Sequence, residues 1–283
     1  MRLSELEQRN SRASLSGSPD YYGFYEVDIF DVEPFLMFSA NDCPRYADVI
    51  AGVFEPYSIH VMQNLLRSGT AVFLDVGAHV GMYSLVAAAT ASKVRIIAFE
   101  PNPFAFTRLS LHARVNGWHE RIVLNPFGLS NVSGVQFYDW VDKGHGWISS
   151  GGGFSGDRVV KQGRCRLVAV SQVLDEIADS ITPGDCLIKL DVEGHEVNAL
   201  KGMQSFISQR KPDVIIESFS REACQLITAM MSPWGYKYYL IDEINRRLVE
   251  RPELVPADLQ SASFNQLMTT KSMDQMLTVL TMD

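Results

Sequence analysis

The stretch LIKLDVEGHEVNAL, residues 187–200, places Lys189, Asp191, Glu193, His195 and Glu196 within eight positions at the end of an apolar run. Such a cluster can hold a metal, remove a proton, or do no more than charge the front of a helix. Zinc binding through HExxH fails, because Ala199 stands where the second histidine belongs. Magnesium needs oxygen ligands. Asp191 and Glu217 could supply two, but no third is evident, so a divalent metal is not favoured and no metal ligand is assigned. His195 leads as a general base, since its ordinary pKa suits proton abstraction near neutrality. A position in the first turn of a helix would favour its neutral form. Asp191 and Glu193 compete for that role. Strand alternation puts Lys189 on the same face as Asp191, and a buried lysine needs such a partner. Glu196 is expected to serve the helix dipole.

A second constellation lies upstream. FLDVGAHVG, residues 73–81, is a strand, an acid (Asp75), and two glycines spaced GxxxG (Gly77 and Gly81). The glycines allow a sharp turn and close approach of a ligand. The spacing is neither the GxGxxG of dinucleotide binding nor a P-loop, and an acid at the strand tip would repel a pyrophosphate. Glu100 ends the next strand 25 positions on (100 − 75), where an acid accepts ribose hydroxyls. Together these residues describe a nucleoside site without a diphosphate, which S-adenosylmethionine fits.

The elements that must carry these groups alternate along the chain. Strands are expected at 71–76, 94–99, 121–125, 186–192, 213–218 and 236–241. Helices are expected at 56–67, 82–91 and 103–117, and after the fourth and fifth strands to about Arg210 and Met231. Short, nearly continuous apolar runs are typical of strands buried on both faces. Strands alternating with helices imply an α/β fold with a mostly parallel sheet covered on both sides. Ligands then bind beyond the carboxyl ends of the strands, where Asp75, Glu100, Asn125, Asp191 and Glu217 fall. Residues 1–20 are polar and are expected to be disordered, 21–68 to form an N-terminal cover, and 69–283 the catalytic domain. The glycine-rich stretch 144–158, with Trp147 and Phe154, could close over the acceptor together with residues 21–50.

Composition narrows the partners. With 46% hydrophobic and 20% charged residues over 283 positions, the chain is that of a globular protein. Its net charge of −8 argues against nucleic acid. The four cysteines form no CxxC pair, and neither a signal peptide nor a membrane span is evident, so a cytoplasmic protein is expected. Nothing in the sequence speaks to oligomeric state.

FLDVGAHVGMYSLVAA, AFEPNPFAF and IKLDVEGHEVNALKGM, in that order and spacing, resemble the FkbM-type methyltransferases. GVFEPYSIHVMQNLL and NPFGLSNVSG also match the family. The resemblance covers residues 35–245. It implies a class I methyltransferase sheet of seven strands, Rossmann-like, with a final antiparallel strand near FNQLMTT (264–270). It further implies that Asp75, Gly77, Ala78 and Gly81 line the methionine side of S-adenosylmethionine, that Glu100 holds the ribose flanked by Pro101 and Asn102, and that Phe127 and Gly128 lie near the adenine. Asp191 would face both cofactor and acceptor, and Glu55 would reach the amino-acid end. His79 stands where relatives often carry Asn. The expected reaction is O-methylation of a small-molecule or glycosyl hydroxyl. The alternatives are an NAD(P)-dependent oxidoreductase, opposed by the missing GxGxxG, and a non-catalytic adenosyl-binding scaffold.

Overall fold

The computed structural model describes residues 22–28, 31–40, 54–141, 148–149, 160–169, 173–174, 181–257 and 264–281. The segment 1–20 lies outside them, as does the glycine-rich stretch apart from Ile148 and Ser149. In chain order the elements are β1 (Tyr22–Val27), β2 (Phe35–Ala40), α1 (Pro56–Arg67), β3 (Val72–Val76), α2 (Met82–Thr90), β4 (Arg95–Phe99) and α3 (Pro103–Val115). Then come β5 (Ile122–Asn125), β6 (Gly128–Ser130), β7 (Gly134–Val141), β8 (Ile148–Ser149), β9 (Val160–Ala169), β10 (Cys186–Leu190) and α4 (Glu196–Arg210). The last are β11 (Asp213–Glu217), α5 (Arg221–Met231), β12 (Lys237–Asp242), β13 (Arg247–Arg251), β14 (Asn265–Thr269) and α6 (Met273–Leu280).

The main sheet runs β13-β12-β14-β11-β10-β3-β4-β5. β5, β4, β3, β10 and β11 are mutually parallel, and β14 enters antiparallel between β11 and β12. The antiparallel strand therefore falls where FNQLMTT predicts it. The sheet has eight strands rather than seven, because β12 turns back through a tight connection and pairs with β13. Chain order reverses around β3, so a crevice opens above the carboxyl ends of β3 and β10.

Alternation along the strands decides which groups meet. Val72, Leu74 and Val76 pack into one core with Ile188, Leu190, Leu200, Met203 and Ile227. Phe73, Leu187, Ile215 and Leu267 pack into the other, with Ile59, Leu65, Leu85 and Met276. By the period of two, Asp75, Lys189, Glu217 and Asn265 share the face of Phe73, Leu187, Ile215 and Leu267. Lys189 lies beside Asp75 in register, and Glu217 beside Asn265. A stripe of polar groups thus runs across the upper edge of the face that α1 and α2 cover.

Two further sheets had no counterpart in the sequence reading. β1 and β2 form a hairpin. It is bound to α3 through Asn116, whose Oδ1 accepts from Leu36 N at 2.7 Å and whose Nδ2 donates to Leu36 O at 2.8 Å. The insert between β5 and β10 forms a sheet of order β6-β9-β7-β8, with β6 and β9 parallel. No helix among the described residues is long and apolar enough to cross a membrane.

Candidate functional site

The turn after β3 is held by Gly77 N and Ala78 N, which donate to Phe99 O at 2.9 and 3.0 Å, and by Gly81 N, which donates to Ala78 O at 2.8 Å. Gly77 has φ +87°, and a Cβ there would sit 1.7 Å from the backbone oxygen of Asp191. This glycine lets the β3 turn and the end of β10 touch. Gly81 has φ +95°, and its Cβ would meet Leu109 Cδ1 at 2.3 Å. Gly128 opens β6 against Leu167 and Pro101, with 2.9 Å from its virtual Cβ to Leu167 Cδ2.

Glu100 is buried at the tip of β4. Its Oε2 accepts from His79 N and its Oε1 from Asn102 N, both at 2.7 Å. Burial pushes its pKa up to about 7 against these two hydrogen bonds. His79 is left-handed, with φ +51°. Asparagine tolerates that conformation better than most residues, which accounts physically for the histidine's unusual position. Asn102 is spent on capping α3, its Oδ1 accepting from Phe104 N at 3.0 Å. Phe127 lies against Phe99, ring centroids 5.8 Å apart, with the Arg166 guanidinium 5.6 Å from its ring centroid.

The central group is Lys189, 1% exposed. Its Nζ donates to Asp191 Oδ2 at 3.2 Å and stands 5.0 Å from the Tyr83 ring centroid. Burial opposes its charge, but the carboxylates of Asp191, Glu55 and Glu217 more than offset burial and raise its pKa. The pairing expected from alternation is thus present. Asp191 remains a third exposed on its side chain, facing the crevice. Asp75 is buried, accepts from Ser84 Oγ at 2.5 Å, and has its pKa pushed up by burial to about 6.

Glu193 has φ +50°. Burial first, then the neighbouring Asp191 and Glu196, raise its pKa to about 8. Glu217 is also raised well above the usual range, by burial and then Asp191. More carboxyl groups crowd this end of the sheet than one ammonium can neutralise. Glu196, the first residue of α4, accepts from Gly194 N at 2.8 Å, just ahead of the helix.

His195 is the N-cap of α4 but makes no side-chain cap bond. Its Nε2 lies 3.0 Å from Ser130 Oγ, at the end of β6, and burial lowers its pKa. The imidazole is therefore engaged with the inserted sheet, while Asp191 is engaged with Lys189.

Glu55 is the left-handed N-cap of α1, with φ +44°. Its Oε2 accepts from Tyr83 OH at 2.6 Å and from Asn265 Nδ2 at 2.8 Å. Glu55, His79 and Glu193 are three of the six non-glycine residues with positive φ among those described, and strained backbone of this kind gathers where a site is over-determined. Sequence reading missed Tyr83 and Asn265. The first looked like an ordinary helix residue and the second like part of a strand. Their only signal was position: the first turn after the glycine loop, and the start of an antiparallel strand, which lies at the carboxyl end of its parallel neighbours.

Strand order, the antiparallel strand between β11 and β12, and the acids at the tips of β3 and β4 define a class I methyltransferase fold. A model of the FkbM methyltransferase domain matches residues 75–238, more than half of the chain, and the protein belongs to that family. It is 29% identical over 163 residues to the hexuronic acid methyltransferase AglP of Haloferax volcanii, covering 57% of this chain and 61% of that protein. It is 27% identical over 180 residues to the AMB antimetabolite synthetase AmbE of Pseudomonas aeruginosa, covering 52% of this chain and 8% of that one. The chain thus spans less than two thirds of each of these curated relatives. Among solved structures it is similar to the methyltransferase FkbM of Methylobacillus flagellatus KT, with a TM-score of 0.45 and 17% identity over 71% of this chain and 43% of the other.

Proposed function

We propose that this protein is an S-adenosylmethionine-dependent O-methyltransferase acting on a hydroxyl of a small molecule or glycosyl group. The observation that carries the reading is Glu100. Its carboxyl group is held at the tip of β4 by two backbone donors and stands across the turn of Gly77, Ala78 and Gly81. Each carboxylate oxygen keeps a second lone pair for a ribose hydroxyl. A pyrophosphate finds no P-loop here, and the buried Asp75 disfavours one, so the residues fit a nucleoside lacking a diphosphate. Phe127 and Gly128 would flank its base, and Pro101 and Asn102 its ribose. When bound, S-adenosylmethionine supplies a methyl group already activated by a sulfonium.

The acceptor end of the crevice is formed by Asp191, Glu193 and Glu217. Lys189 fixes Oδ2 of Asp191 and leaves Oδ1 without a donor among the described residues. That oxygen would orient the acceptor hydroxyl and receive its proton, and Glu193 would take a second hydroxyl. Lys189 acts by holding Asp191 in place. His195, bound to Ser130, would tie the inserted sheet to this end of the site. A glycosyl acceptor gains support from the relative AglP, whose name gives it a hexuronic acid substrate.

Two measurements test the reading. Glu100→Ala should weaken S-adenosylhomocysteine binding at least about tenfold in a calorimetric titration, the worth of a charge-assisted hydrogen bond. An unaltered affinity sinks the ribose assignment. Incubating the protein with host extract and cofactor carrying an isotopically labelled methyl group should place label on an oxygen of one product. Label on nitrogen or carbon would rule out O-methylation.

A further inference from the structure

Strand register brings three polar residues into one row along the top of the sheet. Leu190 pairs with Ile216, so one step on Asp191 stands beside Glu217, and Glu217 pairs with Asn265. On the other side Leu190 pairs with Val76, which puts Gly77 at the head of the same row. The row runs outward from the glycine turn: Gly77, Asp191, Glu217, Asn265. Neighbouring strands lie about 4.8 Å apart, so each step leads one strand further from the turn that would hold the cofactor.

Asp191 has its partner in Lys189 Nζ, at 3.2 Å. Glu217 is half-buried, and its carboxyl takes part in no hydrogen bond or ion pair with another described residue. Lys189 is within electrostatic reach of it, yet that ammonium is committed to Asp191 and to the Tyr83 ring, 5.0 Å from the centroid. Burial and then Asp191 push the Glu217 pKa well above the usual range.

Asn265 independently points to a missing donor. Its Nδ2 donates to Glu55 Oε2 at 2.8 Å and lies 3.4 Å from the Tyr83 oxygen. Turning the amide over would set Oδ1 against the Glu55 carboxylate, so its orientation is fixed. Oδ1 then lies on the far side of the amide from Glu55, a buried acceptor with no hydrogen-bond partner, on a residue 1% exposed. Native structures rarely leave a buried amide oxygen in that state. A hydroxyl could donate to Asn265 but would leave Glu217 without a counter-ion. A carboxylate could do neither. An ammonium supplies both the N–H donors and the positive charge.

We propose that Glu217 and Asn265 form an acceptor subsite for an ammonium, so that the substrate is an amino alcohol. This rests on the O-methyltransferase reading and narrows its acceptor. With the hydroxyl at Asp191, the ammonium lies one strand outward, where Glu217 and Asn265 Oδ1 accept its N–H donors. That short step suits an amine on the carbon next to the one bearing the hydroxyl, as in an amino sugar. The methyl group goes to oxygen, so the product keeps its amine and its charge.

The test uses three two-carbon probes on the chain saturated with S-adenosylhomocysteine at pH 7: 2-aminoethanol, ethylene glycol and glycolate. In saturation-transfer NMR titrations 2-aminoethanol should bind at least about tenfold tighter than ethylene glycol, and glycolate weakest of the three. Glu217→Gln should bring 2-aminoethanol within about twofold of ethylene glycol, with S-adenosylhomocysteine binding as the folding control. Asn265→Leu, which keeps the volume and removes the acceptor, should lower the same preference at least about threefold. In host extract with labelled cofactor, the labelled product should be retained by a cation exchanger at pH 6. The proposal is overturned if 2-aminoethanol shows no measurable binding or no preference, if Glu217→Gln keeps the preference, or if the labelled product is neutral or anionic. Failure of the natural chain to bind S-adenosylhomocysteine overturns the nucleoside reading instead, and label on nitrogen overturns O-methylation.

Discussion

At the residue scale, the site depends on positions where one atom decides the outcome. Gly77 is the clearest case. Two effects oppose a side chain there: the left-handed backbone, and the Asp191 carbonyl that a Cβ would meet at 1.7 Å. Gly117 separates them. Its φ of +71° imposes the same kind of backbone cost, and nothing lies within 4 Å of its virtual Cβ. Gly117→Ala should therefore cost about 1 kcal/mol. Gly77→Ala should cost about 3–5 kcal/mol, because a backbone carbonyl cannot rotate away as a flexible side chain can. Urea titrations of the two variants check this. Equal losses would show that the contact between the β3 turn and β10 is not tight. Lys189 illustrates the same economy: unpaired, it would be a buried charge costing several kcal/mol, and alternation along β10 places its partner two residues on.

At the element scale, the N-terminal hairpin is attached to the methyltransferase sheet through His112 of α3. The imidazole is buried between two backbone groups: Nε2 accepts from Phe38 N at 2.8 Å, so Nδ1 carries the proton it donates to Val80 O at 2.8 Å. One side chain thus joins the hairpin to the turn that ends at Gly81. Burial pushes its pKa down to about 4. A histidine depressed on folding contributes stability that is complete above its unfolded pKa of 6.5 and is lost as pH falls toward the folded value. The loss between pH 6.5 and 4 amounts to roughly 3 kcal/mol. His112→Gln should remove that pH dependence, so its stability relative to the natural chain should improve by a comparable amount between pH 7 and 4.5. Parallel urea titrations at the two pH values decide it, and a constant difference would show that the imidazole is protonated in place.

The elements also show what was legible. β3, β4, β10 and β11 read clearly because a strand buried on both faces leaves an unbroken apolar run, as in VFLDV and CLIKL. FNQLMTT was recognised only through the family, since its start is polar; that polar start is Asn265, which belongs to the site. β9 is hard to read because VKQGRCRLVA is polar and basic after its first valine and lacks a clean period of two. β1 and β2 are aromatic-rich but short, six residues each, and YGFYEV and FLMFSA show no clear alternation of apolar and polar residues. α6 carries a readable start signal, since Ser272 and Gln275 form a capping box. The acids at strand tips were legible from spacing alone. Their partners were not, because contacts such as Glu55 with Asn265 join residues 210 positions apart.

At the scale of the whole molecule, the crevice holds negative charge that the free protein must tolerate. Asp75 and Glu100 are buried carboxyls and Glu193 a half-buried one, raised by desolvation to about 6, 7 and 8. A carboxyl raised on folding gives stability that is complete below its unfolded pKa, near 4, and is lost as pH rises through the folded value. Between pH 6 and 8.5 His112 gives back only about 1 kcal/mol as its unfolded form loses its proton, so the carboxyls govern that range. The free protein should therefore lose roughly 2–4 kcal/mol of stability between pH 6 and 8.5, with mutual repulsion keeping the loss below the sum of independent groups. A ligand that brings hydroxyls to Glu100 favours its charged carboxylate, so it should stabilise more at the higher pH. Melting temperatures with and without saturating S-adenosylhomocysteine at pH 6 and 8.5 test this directly. The increment should be larger at pH 8.5, and methylthioadenosine, which carries the same ribose, should reproduce that difference. A pH-independent increment would mean that the crevice does not use its excess charge to take the ligand.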